Sequence, residues 1–174
     1  SEALEDILGE VARLRRLTDD FLDLSSDRPL AGSSLELSAF LDDAARASRA
    51  ATGVAIDVES PTGLHVQGDG GRLRQVLLNL VANAARAGAQ RVRFQAAADG
   101  GRIRLDVADD GPGIPDAIRP RLFEPFATTR EDGNGLGLAV SRRIVERHGG
   151  SLALLPATPG ATFRIELPRT EESS

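Results

Sequence analysis

The chain has 174 residues, 41% of them hydrophobic, and a net charge of −5 from 21 basic and 26 acidic side chains. A chain of this size and composition can bury a core of its own, whereas its acidic balance disfavours nucleic acid as a partner. It contains no cysteine, and apart from two histidines every basic residue is arginine. Disulfides, thiolate metal sites, P-loop enzymes and protein-kinase folds, the last two of which need a lysine, are therefore excluded.

An amphipathic helix is predicted over residues 1–24, where apolar residues recur at steps of three and four. They are Leu4, Ile7, Leu8, Val11, Leu14, Leu17, Phe21 and Leu24. A single helix cannot bury such a stripe, so it either packs on the rest of the chain or joins a dimeric helical bundle. Residues 25–34, rich in Ser, Pro and Gly, predict a linker after it.

The rest of the chain predicts a mixture of helices and strands. In order, these are a strand at 35–37, a helix over 39–51, strands at 54–58 and 64–66, a helix from Asp69 to about residue 87, a hairpin at 91–96 and 102–107, a helix over 138–147, and a hairpin at 151–155 and 161–167. Ser38 and Asp69 are the expected N-caps. Hairpins and helices without strict alternation predict an α+β fold, with helices on one face of a mixed, mostly antiparallel sheet.

The helix after Asp69 carries a polar row beside its apolar face. The row consists of Arg72, Gln75, Asn79, Asn83 and Arg86, which lie three or four residues apart and so share one face. Such a row can be a solvated outer face. Asparagine, however, is a poor residue for a helix interior, and two of them four residues apart favour a ligand site.

Two glycine clusters flank an aromatic and proline segment between residues 109 and 138. The three stretches are Asp109-Asp110-Gly111-Pro112-Gly113-Ile114, Phe123-Glu124-Pro125-Phe126, and Gly133-Asn134-Gly135-Leu136-Gly137-Leu138. Glycine lets backbone approach a ligand closely, and the free amides at a helix start bind phosphate. A carboxylate at a strand end together with a glycine-rich helix start predicts a nucleotide pocket.

In order and spacing, these stretches resemble the ATP-binding domain of bacterial sensor histidine kinases, within the GHKL superfamily. The resemblance covers residues 35–168, with residues 75–84 as the N box, 109–114 and 133–139 as the glycine boxes, and 123–126 as the F box. It implies a two-layer α/β sandwich of the Bergerat type preceded by one amphipathic helix. Residues 1–27 would be the second helix of a dimerisation bundle, and residues 28–174 the catalytic domain.

The resemblance implies roles for individual residues. Asp109 would accept a hydrogen bond from the adenine amino group, in a network that Thr162 would join. Asn83 would bind Mg²⁺, an ion that prefers oxygen ligands, and Arg86 would reach the phosphates. The remaining ATP contacts would be Gly111, Gly113, Ile114, Phe126, Thr128, Thr129, Arg130, Gly133, Gly135, Leu136, Gly137 and Leu138.

Asn79 occupies the position where ATPases and serine kinases of the superfamily carry a glutamate base. A neutral imidazole already has a free lone pair and needs no such base. An amide at residue 79 therefore favours transfer of the γ-phosphoryl group to histidine over hydrolysis or transfer to serine. The alternatives are a degenerate kinase that only senses nucleotide, and an ATPase or serine kinase of the same superfamily.

The acceptor histidine of the family lies on a first bundle helix that has no counterpart in this sequence. His65 and His148 are expected to be structural. The chain is therefore expected to be a piece of a longer homodimeric protein, either cytoplasmic or the cytoplasmic part of a membrane-bound sensor. Its expected partners are ATP with Mg²⁺, a histidine-bearing dimerisation domain and a response regulator receiver domain, without nucleic acid. Residues 127–134 are expected to form a short lid over the phosphates.

Overall fold

The computed structural model describes residues 1–27, 29–127, 135–156 and 159–171. Its helices are α1 (Glu2–Ser25), α2 (Leu37–Thr52), α3 (Gly70–Arg86) and α4 (Gly137–Arg147). Its strands are β1 (Ser33–Glu36), β2 (Ala55–Glu59), β3 (His65–Gly68), β4 (Arg91–Asp99), β5 (Arg102–Asp109), β6 (Ser151–Leu154) and β7 (Thr162–Pro168). A 3₁₀ turn, Arg119–Arg121, lies between β5 and α4.

Five strands form one mixed sheet in the order β2-β4-β5-β7-β6. Strand β2 runs parallel to β4, and the other neighbouring strands are antiparallel. Strands β1 and β3 form a separate antiparallel pair. This arrangement, with one preceding helix, confirms the predicted α+β class and its mostly antiparallel sheet.

The two faces of the sheet differ because successive side chains of a strand point to opposite sides. One set, including Val92, Phe94 and Ile103, is buried in a single core together with the apolar faces of α2, α3 and α4. The opposite set is charged and pairs across strands. The Arg164 guanidinium, for example, donates two hydrogen bonds of 2.8 Å to the carboxylate of Asp106. One face of the sheet therefore carries the core and the helices.

Helix α2 begins two residues earlier than the sequence predicts, and its N-cap is Glu36 instead of Ser38. The Glu36 carboxylate accepts a hydrogen bond of 2.8 Å from the amide of Ala39 and another of 3.3 Å from Gly63. The longer glutamate side chain can reach both the helix start and the turn before β3. A serine hydroxyl is too short to join those two elements.

Two other predicted helix ends are confirmed, one at a glycine and one at an aspartate. Gly53 ends α2 in the left-handed region with φ 74°, and Asp69 caps α3 by accepting a hydrogen bond from the amide of Arg72. The predicted linker is shorter than expected. Ser33 and Ser34 belong to β1 because their backbone pairs with β3.

The apolar stripe of helix α1 packs on the core only through residues of its C-terminal half. Leu17 and Leu24 pack against the core, whereas five upstream residues of the stripe are 51–60% exposed, namely Leu4, Ile7, Leu8, Val11 and Leu14. The two interpretations that the sequence left open thus concern different parts of the helix. The body covers Leu17 and Leu24, whereas Phe21, which is 59% exposed, and the upstream residues present an apolar face of the kind that bundle helices bury. Among the described residues, no helix has the length and apolar character needed to span a membrane.

Replacing Glu36 by Ala is expected to lower the free energy of unfolding by about 1 kcal/mol at neutral pH. Backbone hydrogen bonds, first of all from Ala39, hold the pKa of Glu36 below its usual value although partial burial opposes them. A carboxylate with a depressed folded pKa stabilises the fold above its unfolded pKa, and this contribution is lost as the pH falls through the folded value. The difference between parent and variant should therefore shrink below about pH 4.5.

Urea denaturation followed by circular dichroism over a pH series measures this difference. Ser38→Ala is the matched control, because it removes the side chain expected from the sequence to cap α2. It should change the free energy of unfolding by less than about 0.5 kcal/mol. A larger loss for Ser38→Ala than for Glu36→Ala would contradict the observed cap.

Candidate functional site

A cavity of about 580 Å³ lies between α3, the loop after β5, the start of α4 and one face of α1. Its volume is typical of small-molecule sites. The residues expected from the sequence that line it are Asn79, Asn83, Arg86, Asp109, Gly113, Ile114, Gly135, Gly137 and Leu138. Ile118, Leu122 and Phe163 add an apolar wall that the sequence did not single out.

Four of the expected residues are described but do not line the cavity. Gly111 turns the chain beside Asp109, and Leu136 is fully buried at the N-cap position of α4. Phe126 is 63% exposed, with a positive φ of 64°. Thr162 pairs with Ala108 within the sheet. Thr128, Thr129, Arg130 and Gly133, and with them nearly all of the expected lid, lie outside the described residues.

The Asp109 carboxylate is oriented by backbone amides. Its Oδ1 accepts hydrogen bonds of 2.9 Å from Gly111 and 3.3 Å from Ala161. Within the described part of the chain, Oδ2 has no hydrogen-bond partner, and the residue lines the cavity. The Thr162 hydroxyl makes no direct hydrogen bond with Asp109, because the amide of the preceding residue, Ala161, is the one beside the carboxylate. Asp109 thus offers one oxygen, already oriented, to a ligand.

Gly160 permits the close approach between the end of β5 and the turn before β7. It adopts φ 77°, and a Cβ built there would lie 1.9 Å from the carbonyl oxygen of Asp109. Any other residue would force the two segments apart. Gly113 adds a second close contact, because its own Cβ would lie 3.0 Å from the Gly160 carbonyl oxygen. Glycine at these two positions holds Asp109 against the wall of the cavity.

The neighbouring Asp110 has a different, structural role. Its Oδ1 accepts hydrogen bonds of 2.8 Å from the amide of Gln90 and 3.0 Å from that of Arg91. These bonds, chiefly the one from Arg91, lower the pKa of Asp110. The carboxylate therefore stays ionised and fastens the loop after β5 to the start of β4. Of the two adjacent aspartates, only Asp109 lines the cavity.

The polar row of α3 divides into two parts. Arg72 and Gln75 do not line the cavity; both donate to the carboxylate of Asp23 on α1, at 2.6 and 3.4 Å. Asn83 and Arg86 do line it, and the Arg86 guanidinium donates to Oδ1 of Asn83. The first part of the row thus binds another helix, and only the second part lines the cavity.

Asn79 connects α3 to the first turn of α4. Its amide nitrogen donates to the carbonyl of Gly137 at 3.3 Å and to the hydroxyl of the buried Ser141 at 3.2 Å. Leu136 at the N-cap position of α4 has no side-chain oxygen with which to cap the helix. The start of α4 therefore presents backbone amides beside the cavity, an arrangement that favours an anion.

The two histidines have structural roles, as expected. His148 donates from Nδ1 to the carbonyl of Ile144 at 2.7 Å and accepts at Nε2 from the amide of Asp69 at 3.0 Å. This joins the end of α4 to the start of α3. His65 lies in β3, paired with Glu36. Neither histidine lines the cavity.

Comparison with known proteins identifies relatives of this arrangement. The family model for the histidine kinase-, DNA gyrase B-, and HSP90-like ATPase matches residues 68–171. Over 115 residues the chain is 46% identical to the C4-dicarboxylate transport sensor protein DctB of Rhizobium meliloti (strain 1021), a match that covers 63% of this chain and 18% of DctB. The chain spans between 18% and 24% of the length of four such curated relatives.

Solved structures share the fold as well. Full-length ShkA in complex with AMPPNP is 31% identical with a TM-score of 0.76, over 93% of this chain and 37% of that one. The histidine kinase ThkA in complex with the response regulator protein TrrA is 27% identical with a TM-score of 0.78, over 98% of this chain and 51% of that one. Both matches cover more than nine tenths of the chain.

Proposed function

Because this chain belongs to the histidine kinase-, DNA gyrase B-, and HSP90-like ATPase family, we propose that it is the ATP-binding catalytic domain of a sensor histidine kinase. Residues 28–174 would form that domain, and α1 would be the second helix of a dimerisation bundle. The observation that carries the proposal is the cavity, with Asp109 at one side and with Asn83, Arg86 and the start of α4 around the rest.

Adenine is the base that this pocket favours. Oδ2 of Asp109 can accept a hydrogen bond from the adenine 6-amino group, whereas guanine presents a carbonyl oxygen at that position. Ile114, Ile118 and Phe163 supply apolar surface for the flat ring. A charged acceptor that is already oriented by two backbone amides needs no rearrangement to bind, which favours affinity.

The phosphates would lie beside other polar groups of the cavity, namely Arg86, Asn83 and the first amides of α4. Arg86 can donate charge-assisted hydrogen bonds to phosphate oxygens, and the first amides of α4 can add their own. Mg²⁺ keeps several waters and needs only one or two protein ligands besides phosphate. The amide oxygen of Asn83, which accepts from Arg86 in this structure, would suit it once Arg86 turns to the phosphates. Bound there, the ion would neutralise phosphate charge during transfer.

The reaction that we propose is transfer of the γ-phosphoryl group to an imidazole nitrogen of a histidine outside this chain, with ADP as the leaving product. The lone pair of the neutral imidazole forms the new P–N bond as the bond to the β-phosphate oxygen breaks. Asn79 cannot serve as a base toward water, and its amide nitrogen is engaged with α4. Its place in the site is to position the phosphate-binding helix start, which favours phosphotransfer over hydrolysis.

We further propose cytoplasmic partners for the whole protein. The ThkA complex contains a response regulator, and a phosphohistidine made by this domain would be passed to such a receiver domain. The exposed apolar half of α1 suits a homodimeric bundle. The net charge of −5 gives no support to binding of nucleic acid.

Phosphotransfer tests the proposal directly. Incubated with γ-labelled ATP and Mg²⁺, the chain alone should remain unlabelled, because its two histidines lie outside the cavity. Adding a dimerisation domain that bears the acceptor histidine should give an acid-labile, base-stable label on that domain. Strong labelling of the chain alone, or a label that survives acid, would show that the chemistry is different.

Replacing Asp109 by Asn should reduce ATP affinity about tenfold, because the carboxylate charge that accepts the adenine amino group is lost. The parent chain should bind ATP far more tightly than GTP. Calorimetric titration with both nucleotides measures this. Asp99→Asn, at an exposed hairpin end, is the control and should leave ATP affinity unchanged. Equal affinity of the parent for ATP and GTP would refute the adenine assignment.

Replacing Asn83 by Ala should weaken ATP binding in the presence of Mg²⁺ more than in the presence of a chelator. The reason is that Asn83 is proposed to hold the ion and not the base. Titrations of parent and variant with ATP, each with and without Mg²⁺, give the four affinities needed. An equal loss under both conditions would assign Asn83 to the nucleotide itself.

A further inference from the structure

Helix α1 contributes a wall to the same cavity. Arg13, Arg16 and Asp20 line it together with Asn83 and Arg86 of α3. Steps of three and four residues place the three side chains on one face of α1. Helix α1 therefore closes the cavity on one side, although it lies outside the N box, the F box and the two glycine boxes.

The C-terminal end of α1 is held against the body by specific contacts. The Asp23 carboxylate accepts a hydrogen bond of 2.6 Å from Arg72, and the two side chains are only 16% and 32% exposed. Beyond the end of the helix, Asp27 pairs with Arg143 of α4 at 2.8 Å. The Asp23–Arg72 pair and the packing of Leu17 and Leu24 on the core hold this end of α1, whereas the exposed Asp27–Arg143 pair adds little. The side chains one and two turns upstream of Asp23 therefore lie beside the cavity.

The charges on this wall are suited to a polyanion. Arg13 pairs with Glu10 at 2.8 Å, but Arg16 has no hydrogen bond or ion pair with any other described residue. Arg16 therefore offers a guanidinium to the cavity, which Arg86 of α3 also lines. Among the described residues, Asp20 and Asp109 are the carboxylates that line the cavity. A triphosphate in the cavity could be bound by both guanidinium groups, because arginine donates charge-assisted hydrogen bonds to phosphate oxygens.

We propose that Arg16 of α1 binds the phosphate groups of the nucleotide, so that nucleotide binding and docking of α1 on the catalytic domain strengthen each other. The proposal rests on the ATP site proposed above. Coupling of this kind is reciprocal, because a ligand that binds the docked form more tightly must also shift the chain toward it. Through Arg16, the occupancy of the site would be communicated to the helical bundle.

The first test is calorimetric titration of parent, Arg16→Ala and Arg15→Ala chains with ATP and with adenosine. Arg15 is the matched control, because it lies next to Arg16 on the exposed surface of α1 but does not line the cavity. Arg16→Ala should weaken ATP binding about tenfold and leave adenosine binding unchanged. Arg15→Ala should leave both affinities unchanged.

Failure of this inference can be told apart from failure of the proposed function. If the parent chain binds no ATP, the ATP site itself is wrong. If the parent binds ATP and the two variants bind it equally well, the site stands and the role of Arg16 is refuted. Because Arg16 is exposed and outside the core, neither variant should change the urea denaturation midpoint.

Amide hydrogen exchange in α1 measures how nucleotide binding affects docking of this helix. ATP should slow amide exchange in α1 of the parent and of Arg15→Ala, and should have a much smaller effect in Arg16→Ala. Adenosine, which lacks phosphates, should not slow exchange in α1 of any of the three. Faster exchange of α1 on adding ATP would show that the nucleotide displaces the helix, which would overturn the proposal.

Discussion

The site depends on the contact between the end of β5 and the turn that precedes β7. Gly160 lies directly against the backbone of Asp109, and the amides of Gly111 and Ala161 both donate to one oxygen of its carboxylate. A side chain at residue 160 would separate the strands and turn the carboxylate away. The pairing of β5 with β7 thus orients the Asp109 carboxylate, which is proposed to select adenine.

Helix α3 carries the rest of the site because each of its faces has a different partner. Its apolar face, including Val76 and Leu80, is buried in the core. Its polar row contacts α1 through Arg72, the start of α4 through Asn79, and the cavity through Asn83. One helix thus brings α1, the start of α4 and the cavity into contact through side chains a few turns apart.

Much of the fold could be predicted from the sequence, because periodicity and helix-ending residues act locally. Asp69 and Gly53 mark helix ends by hydrogen bonds or a positive φ within a few residues of themselves. Errors arose where the partner is distant in sequence. Glu36, for example, caps α2 because it also reaches Gly63 in the turn before β3, and Ser33 and Ser34, expected in a linker, pair with β3. The contribution of Arg16 to the cavity depends on how α1 docks, which no local pattern encodes.

The most direct test of the account is a crystal structure of the chain with Mg²⁺ and a non-hydrolysable ATP analogue. We expect the adenine amino nitrogen within hydrogen-bond distance of Oδ2 of Asp109, Mg²⁺ bound to Oδ1 of Asn83, and phosphate oxygens at the first amides of α4. An analogue bound outside this cavity would contradict the account. So would one bound in the reverse direction, with its phosphates at Asp109.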